Sequence, residues 1–388
     1  MTPSPAPQPA LPEPVIAASA HGLREVAWFD CPGGGQVVVD QGIAYIGHMK
    51  HPAGTSTVDV RDPANPRQLD HLQMPPGMHA HKVRVANGLM LTNREFVGPM
   101  VPSSPDLRGG LAIHDVSTPG RPRHITDWRI PGNGVHRFDF DGRYAYLSAT
   151  QDGYVGTIMV ILDLADPAKP VEAGRWWMEG QWTAGGETPS WDKGSWHCHH
   201  PLRRGDRLYV SYWHGGFAIL DIADISRPRR VGGFRTAPPH PWPTHTALPL
   251  PYRLRGRDVL LVADEDAAKI GPGEGAYLWL YDITDEAHPV PFSTFQVAGD
   301  DGTPVANFTG CHQPSEIVTG TEIPVAWFAH GLRIVDIANP HAIREVAHFV
   351  PPLRGAMTRA QSNDVTVDER GLIYVIDRVQ GLTILERI

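Results

Sequence analysis

The sequence predicts an all-β fold, and two observations lead to that prediction. The 388 residues include 40 glycines and 38 prolines, yet 41% of the residues are hydrophobic. That composition suits short strands joined by frequent turns, not a disordered chain. One phrase also recurs along the chain, in which an apolar run of strand type is followed by an acidic residue and a turn.

Seven copies of the phrase follow one another at intervals of roughly 50 to 60 residues, a spacing typical of propeller blades. The copies occupy residues 58–63, 113–119, 161–167, 219–224, 280–285, 334–340 and, in truncated form, 382–386. Each unit also contains a first strand, an aromatic-rich second strand and an outer strand after the turn. The sequence therefore predicts a seven-bladed β-propeller with four strands in each blade.

The last unit ends at Ile388 before an outer strand can form. Residues 24–29 (REVAWF) nearly duplicate residues 344–349 (REVAHF), the outer strand of the sixth unit. We expect the N-terminal strand to close the last blade, which makes residues 22–388 one domain without a free repeat edge. Residues 1–21, rich in proline and alanine, are expected to form a disordered tail.

The repeated phrase resembles the LVIVD repeat. The chain from about residue 22 to 388 looks like an LVIVD-repeat seven-bladed propeller. The repeat style is distantly similar to that of selenium-binding proteins and of the copper-dependent methanethiol oxidases related to them. The resemblance implies the fold, and because one propeller fold supports many activities, the chemistry has to be argued from individual residues.

Charge and cysteine content restrict the partners and the compartment. The net charge of −8 and the pI near 6.2 provide no basic surface for nucleic acid or an anionic membrane, so neither partner is expected. Only Cys31, Cys198 and Cys311 occur, which argues against a disulfide framework. Without a secretory leader pattern or a long apolar run, the sequence predicts a cytoplasmic protein.

Five histidines occupy one position of the repeat, several residues ahead of an apolar run. They are His81, His136, His199, His245 and His312. The first strand of a propeller blade lines the central channel, so these imidazoles are expected to form a ring. Neutral imidazoles ligate transition metals, among which Fe, Cu and Mn are favoured and Zn is possible. Carotenoid-cleaving oxygenases, with four histidines around an iron, are an architectural analogy; the alternative is that each histidine only caps a strand.

A second set of polar residues is predicted near the same face. The candidate catalytic residues are Glu95, Asp264, Glu265 and His330, which either hold the imidazole N–H groups or act as a general base. The candidate substrate-pocket residues are His48, Arg94, His197, Trp213, Asn363 and Arg378. The alternative for each charged residue is a solvated loop position.

Strand alternation predicts the orientation of the residues beside the ring. His197 should point to the same side as His199, whereas Cys198 and His200 should point to the other side. We interpret Cys198 and Cys311 as buried core residues; thiolate ligation is the alternative. Two insertions, 174–196 with its five tryptophans and 93–110, either cover the candidate site as a lid or pack onto the propeller.

Together these patterns predict a metal-dependent enzyme. An oxidoreductase of the oxidase or oxygenase type, acting on a small and partly apolar or aromatic organic molecule, is the leading hypothesis. A non-redox lyase, isomerase or hydrolase that uses the metal as a Lewis acid is the first alternative. A non-catalytic propeller scaffold is the second.

Overall fold

The computed structural model describes residues 16–50, 53–98, 107–191, 195–266, 275–297, 309–354 and 357–388. Within these ranges the only helix is a three-residue 3-10 helix, η1 (Thr183–Gly185), and every other regular element is a β-strand. No described helix has the length and hydropathy needed to cross a membrane. The all-β prediction is therefore confirmed.

Antiparallel sheets of four strands are the basic unit. The chain begins with β1 (Ser19–His21) and β2 (Leu23–Phe29). The next sheet contains β3 (Gly34–Asp40), β4 (Ile43–His48), β5 (Gly54–Asp59) and β6 (Arg67–Gln73). It is followed by a sheet of β7 (Met78–His79), β8 (Val83–Ala86), β9 (Leu89–Phe96), β10 (Gly109–Asp115) and β11 (Arg123–Ile130). A third contains β12 (Val135–Phe140), β13 (Tyr144–Thr150), β14 (Thr157–Asp163) and β15 (Val171–Trp176).

An eight-stranded sheet has two halves joined by the single pair Trp213 and Thr244. One half contains β16 (Trp196–Arg204), β17 (Arg207–Trp213), β18 (Phe217–Asp221) and β19 (Arg229–Phe234). The other contains β20 (Thr244–Pro249), β21 (Val259–Asp264), β22 (Leu278–Asp282) and β23 (Val290–Phe295). The last strands are β24 (Gln313–Pro314), β25 (Glu322–Ala326), β26 (Leu332–Asp336), β27 (Arg344–Val350), β28 (Ser362–Val367), β29 (Ile373–Asp377) and β30 (Gly381–Arg387).

The N-terminal strands pair with the C-terminal part of the chain. β2 runs antiparallel to β30 in the order β2-β30-β29-β28, and β1 runs antiparallel to β27. β1 falls within residues 1–21, so the predicted tail is shorter than expected because Ser19–His21 are held by main-chain pairing. Residues 1–15 of that segment lie outside the described residues.

The repeated acidic residue has a local structural cause. At the end of the third strand in six units, its carboxylate accepts a hydrogen bond from the backbone N–H two residues later, as in Asp163 with Ala165 at 2.8 Å and Asp336 with Ala338 at 2.9 Å. Such a side-chain turn ends the strand and starts the connection to the outer strand. Each repeat thus contains a strand and the acidic residue that ends it.

Bulges recur in the first strands, three of which contain a predicted metal ligand. The register shifts in β3, β12, β16, β20 and β28 as each pairs with its second strand. A bulge interrupts the two-residue alternation, so consecutive side chains can face the same side of the sheet. The bulged segments include Gly35, His136, His199, His245 and Asn363. The shifts therefore affect the side-chain directions of His136, His199 and His245.

Candidate metal centre

The five predicted histidines lie side by side in one arc. Neighbouring rings are 5.0 Å apart from His81 to His136, 4.8 Å from His136 to His199, 4.4 Å from His199 to His245 and 4.1 Å from His245 to His312, measured between centroids. Each histidine belongs to a different repeat of the sequence. The arc therefore depends on tertiary packing and joins residues more than 200 positions apart.

Four of these imidazoles have Nδ1 hydrogen-bonded to an oxygen acceptor. His136 Nδ1 donates to Glu95 at 2.9 Å, and His199 Nδ1 donates to the His245 carbonyl at 3.0 Å. His312 Nδ1 donates to the Asn363 carbonyl. His245 Nδ1 donates to the Thr246 hydroxyl at 2.8 Å, because that hydroxyl gives its own proton to Gln313. A proton held on Nδ1 leaves Nε2 with its lone pair, the tautomer that ligates metal through Nε2.

The Nε2 atoms of His136 and His199 lie 3.1 Å apart. Both Nδ1 atoms already donate elsewhere, so two lone pairs face each other across this distance. A proton or a metal ion between the nitrogens would make such an approach favourable. The pair is thus the position in the arc best suited to a cation.

Glu265 adds a carboxylate to the same group. Its Oε1 lies 3.5 Å from His312 Nε2, and its Oε2 lies 4.0 Å from His245 Nε2. Oε2 is buried and has no hydrogen-bond partner among the described residues. Ligand atoms of His199, His245 and Glu265 all lie within 4.8 Å of one another, which is compatible with one shared metal ion. A buried carboxylate oxygen without a partner is costly unless a cation or proton compensates it.

Glu95 organises the opposite end of the arc. It accepts hydrogen bonds from His136 Nδ1 and from His79 Nε2, the latter at 2.8 Å, and lies 3.5 Å from His81 Nδ1. His81 Nδ1 also lies 3.1 Å from the amide nitrogen of Asn93, and its Nε2 is buried without a partner. His79, His81 and Glu95 form a second group with metal-ligand spacing.

Burial favours the neutral form of four imidazoles of the arc. It lowers the pKa of His81, His199 and His245 well below the usual range, and of His312 to about 4 despite the opposing effect of Glu265. Burial also raises the pKa of Glu95, but the contacts with His136 and His79 outweigh it and bring that pKa to about 2. Glu95 therefore accepts hydrogen bonds as a carboxylate.

The arc borders a cavity of about 390 Å³. All five predicted ligands line it, as do Glu95 and Glu265 from the predicted catalytic set and His197, Trp213 and Arg378 from the predicted pocket. Asn363 lies immediately behind, where its carbonyl accepts from His312 and its Oδ1 accepts from Arg378 Nε at 2.6 Å. Met49, Lys82 and the 133–134 turn also line the cavity and were not predicted.

Four predicted site residues lie elsewhere. His48 hydrogen-bonds to Ser56 at 2.9 Å inside the first sheet, and Arg94 faces Asp127 at 3.9 Å. Asp264 accepts hydrogen bonds from His240 at 2.9 Å and from Trp279 at 2.6 Å, so it anchors its own sheet. His330 lies in the turn after β25 and does not line the cavity. The position of a residue at a strand end did not predict whether its side chain lines the cavity, because side-chain direction differs from one turn to the next.

Arg137 and His200, which directly follow two of the histidines, form a second polar layer, contrary to the predicted alternation of side chains along the strands. Arg137 Nη1 donates to His245 Nε2 at 2.8 Å and to Gln313 Oε1 at 3.0 Å, so it faces inward like His136. His200, expected to point away, contacts Thr246 at 3.3 Å and Arg84 at 3.3 Å. The bulges explain this difference, because they turn successive residues to the same side.

The cysteines and tryptophans have structural surroundings. Cys198 and Cys311 are fully buried in apolar clusters, as predicted, and burial raises the pKa of both thiols. Trp177 and Trp182 pack edge to face with each other, while Trp191 stacks on Trp196 at 5.0 Å. No tryptophan of 174–196 lines the cavity among the described residues, so packing accounts for these side chains better than a lid. Residues 99–106 and 192–194 of the two insertions lie outside the described residues.

Comparisons with known proteins agree with this architecture. Residues 204–236 and 324–349 match the LVIVD repeat family, and no curated protein matches the chain. A putative 6-phosphogluconolactonase from Bacteroides uniformis is 10% identical with a TM-score of 0.58, covering 82% of this chain and 86% of its own. Saccharomyces cerevisiae Sqt1 is 8% identical with a TM-score of 0.55, covering 92% and 86%.

The computationally designed Ika8 protein is also similar, at 8% identity and a TM-score of 0.51 over 93% of this chain and 98% of its own. Likenesses at these identities show the fold alone. None of the three structures is named as a selenium-binding protein or a methanethiol oxidase, so that resemblance stays a prediction. The matched repeats and the sheet arrangement identify a β-propeller protein that carries LVIVD repeats.

Proposed function

We propose that the protein is a metal-dependent enzyme whose transition metal is held by the histidine arc. The observation that carries the proposal is the convergence of Nε2 lone pairs, above all those of His136 and His199 at 3.1 Å. His245, His312 and Glu265 Oε2 are the further donors beside them, and on His245 the metal would replace the hydrogen bond that Nε2 accepts from Arg137 Nη1 at 2.8 Å. Four imidazoles and one carboxylate form a donor set suited to Fe, Cu, Mn or Zn, and no thiolate is within the group.

Other residues of the chain would orient the imidazoles and bind the substrate. Glu95 and the two backbone carbonyls hold the imidazole N–H groups, which orients the rings and raises their basicity as ligands. The cavity beside the arc has room for a small organic molecule, with Trp213 and Met49 providing apolar surface. A bound Fe, Cu or Mn would supply electron transfer, which makes an oxidoreductase of the oxidase or oxygenase type the leading reaction class.

Metal analysis of protein purified without an affinity tag tests the proposal. We expect about one equivalent of metal in the wild-type protein. Replacing His136 and His312 together by alanine should remove it while circular dichroism still shows the β-fold. The matched control replaces His124 and His288, whose side chains are 54% and 82% exposed, and should retain the metal. Unchanged metal content after the His136 and His312 substitutions would overturn the proposal.

A non-redox lyase, isomerase or hydrolase is the second candidate, favoured by one observation. Glu265 Oε2 has no hydrogen bond among the described residues, and if the imidazoles alone held the metal, this carboxylate would be free to act as a general base toward a substrate in the cavity. Colour or a paramagnetic signal in the purified protein would support the redox reaction class. Stoichiometric zinc without either signal would support the non-redox class, and absence of metal would leave a propeller scaffold.

We further propose that the sheets form seven blades in one domain, closed by the N-terminal strand. The pairing of β2 with β30 and the division of the eight-stranded sheet into two four-stranded halves support this arrangement. Limited proteolysis should then yield one resistant fragment that begins before residue 22 and extends to the C-terminus. Two resistant fragments of separate blades would contradict a single closed domain.

A further inference from the structure

A second group of metal-ligand type lies at the end of the arc away from Glu265. Its members are His79, His81 and Glu95, each of which offers one donor atom, and these atoms all lie within 4.8 Å of one another. The backbone brings two of them together, because His79 of β7 is paired directly with Glu95 of β9. Directly paired residues of antiparallel strands place their side chains on one face. The cluster is therefore built into the sheet.

His79 is oriented by the Met49 carbonyl. It is 8% exposed, and its Nδ1 lies 3.2 Å from that oxygen, which can only accept, so Nδ1 holds a proton. Its Nε2 lies 2.8 Å from Glu95 Oε2. In the metal-free protein a second ring proton fills this contact. A metal ion that took the place of that proton would have the imidazole nitrogen and the carboxylate oxygen as ligands.

His81 has hydrogen-bonding capacity that the described residues do not meet. It is 1% exposed, and its Nε2 has no hydrogen-bond partner among them. Its Nδ1 lies 3.1 Å from Asn93 Nδ2, but that amide also lies 2.9 Å from the Val135 carbonyl and 3.3 Å from the His136 carbonyl. The same Nδ1 is 3.5 Å from Glu95 Oε2. It can therefore become a metal ligand without leaving the Asn93 amide unpaired.

Glu95 connects this group to the ion of the proposed function. Its Oε1 accepts from His136 Nδ1 at 2.9 Å, while its Oε2 faces His79 and His81. One carboxylate can thus orient a ligand of the first ion through one oxygen and bind a second ion through the other. The donor atoms of the two sites are different, so the second ion does not take a ligand from the first.

The two groups border the same cavity. His81 and Glu95 line the space of about 390 Å³ together with the proposed ligands of the first ion. Two imidazoles and one carboxylate suit Fe, Mn or Zn, and three protein ligands leave coordination positions for water or substrate. Two ions that border one cavity can act on one substrate.

We propose that His79, His81 and Glu95 bind a second divalent metal ion at this cavity. The inference goes beyond the proposed function, whose donor set is the other four histidines of the arc and Glu265. It also assigns a role to His81, the arc histidine outside that donor set. With three protein ligands instead of five, the second ion is bound less tightly and is lost first on purification.

Titration of full-length protein with Mn²⁺, followed by the EPR signal of free Mn²⁺, tests the inference after the retained metal has been measured. We expect one further equivalent of Mn²⁺ to bind. His79→Phe and His79→Gln should each lower its affinity by at least about tenfold, while the retained metal stays unchanged. His114→Phe is the matched control, because His114 is 6% exposed in β10 and does not line the cavity, and it should bind Mn²⁺ as wild type does.

Three results would overturn the inference. These are the absence of Mn²⁺ binding beyond the retained metal, an unchanged Mn²⁺ affinity in a folded His79 variant, or loss of the retained metal from such a variant, which would place His79 in the first site. The two substitutions differ in polarity, so the test does not depend on one of them folding. Protein purified without any metal would overturn the proposed function instead, and a Mn²⁺ equivalent that depends on His79 would then still support a site at this end of the arc.

Discussion

His136 Nδ1 donates to the Glu95 carboxylate at 2.9 Å, and this contact directs the opposite ring nitrogen toward His199. Glu95 and His136 are 41 residues apart and belong to neighbouring sheets, joined near this point by the bridge between Glu95 and Gly134. The carboxylate therefore acts on the proposed metal through the imidazole. A pairing of this kind determines the tautomer and the ring orientation of the ligand.

We expect Glu95→Gln to weaken metal binding without removing the site. Glutamine keeps the shape but has one acceptor oxygen for two histidine donors and no negative charge. Metal affinity should fall by about tenfold to a hundredfold, measured by competition with a chromophoric chelator. Glu172→Gln, on the outer strand β15 beside Arg175, is the control and should leave the affinity unchanged. The same affinity in Glu95→Gln would show that the carboxylate does not support a ligand.

Truncation of Leu23 should destabilise the whole protein, because its strand β2 is the partner of β30. Leu23 is 3% exposed and packs in the apolar cluster that contains Leu385 and Ala347. Leu23→Ala is expected to lower the free energy of unfolding by about 2 to 5 kcal/mol, measured by urea denaturation. The neighbouring Arg24, with a side chain 68% exposed, should tolerate alanine within about 0.5 kcal/mol. A loss as small as that for Leu23→Ala would argue against a structural role of the N-terminal strand.

Asp364 should make stability depend on pH. Burial raises its pKa to about 6, although Arg137 and Lys82 oppose the shift. The folded protein therefore holds this proton more tightly than the unfolded chain, where the pKa is near 4. The Asp364 contribution to stability should fall as pH rises from about 4 to about 6.

Asp364→Asn removes this titration. The unfolding free energy of metal-free Asp364→Asn, minus that of metal-free wild type, should increase across that pH window by on the order of 2 kcal/mol. Urea denaturation at several pH values in the presence of a chelator measures the difference. A difference that stays constant, or that decreases with rising pH, would contradict the assignment.

The turn after each third strand should depend on the acceptor oxygen and not on charge. In the sixth unit the Asp336 carboxylate accepts the Ala338 N–H at 2.9 Å. Asp336→Ala is expected to lower the unfolding free energy by about 1 kcal/mol, whereas Asp336→Asn keeps an acceptor and should cost less than half of that. The ion pair with Arg344 at 3.7 Å is exposed and contributes little. Equal losses in both variants would assign the effect to charge instead.

Much of the candidate site could be predicted from repetition. His81, His136, His199, His245 and His312 were found because each occupies one position in a recurring unit, and all five line one cavity. Glu95 and Glu265 were found because they end second strands. The same rule also selected Asp264 and His330, which belong to local hydrogen-bond networks, since a strand end gives a position and not a side-chain direction.

Some of the residues that the sequence did not reveal, such as Arg137, lie at bulges. Period-two alternation placed His200 away from the ring, and it provided no reason to single out Lys82 or Arg137. A register shift in the first strand turns consecutive residues to one side. Bulges depend on pairing with the second strand, and no local residue pattern in these strands predicts them.

The sequence by itself determined the all-β architecture, the repeat and the five histidines, because hydrophobic period, turn chemistry and repetition are local properties of the chain. Only the tertiary structure decided which atoms meet. The 3.1 Å approach of His136 to His199, the Glu95 contact and the placement of Lys82 and Arg378 in one cavity depend on how separate sheets pack and where strands shift in register. Those are relations between distant segments, and no spacing within a single segment encodes them.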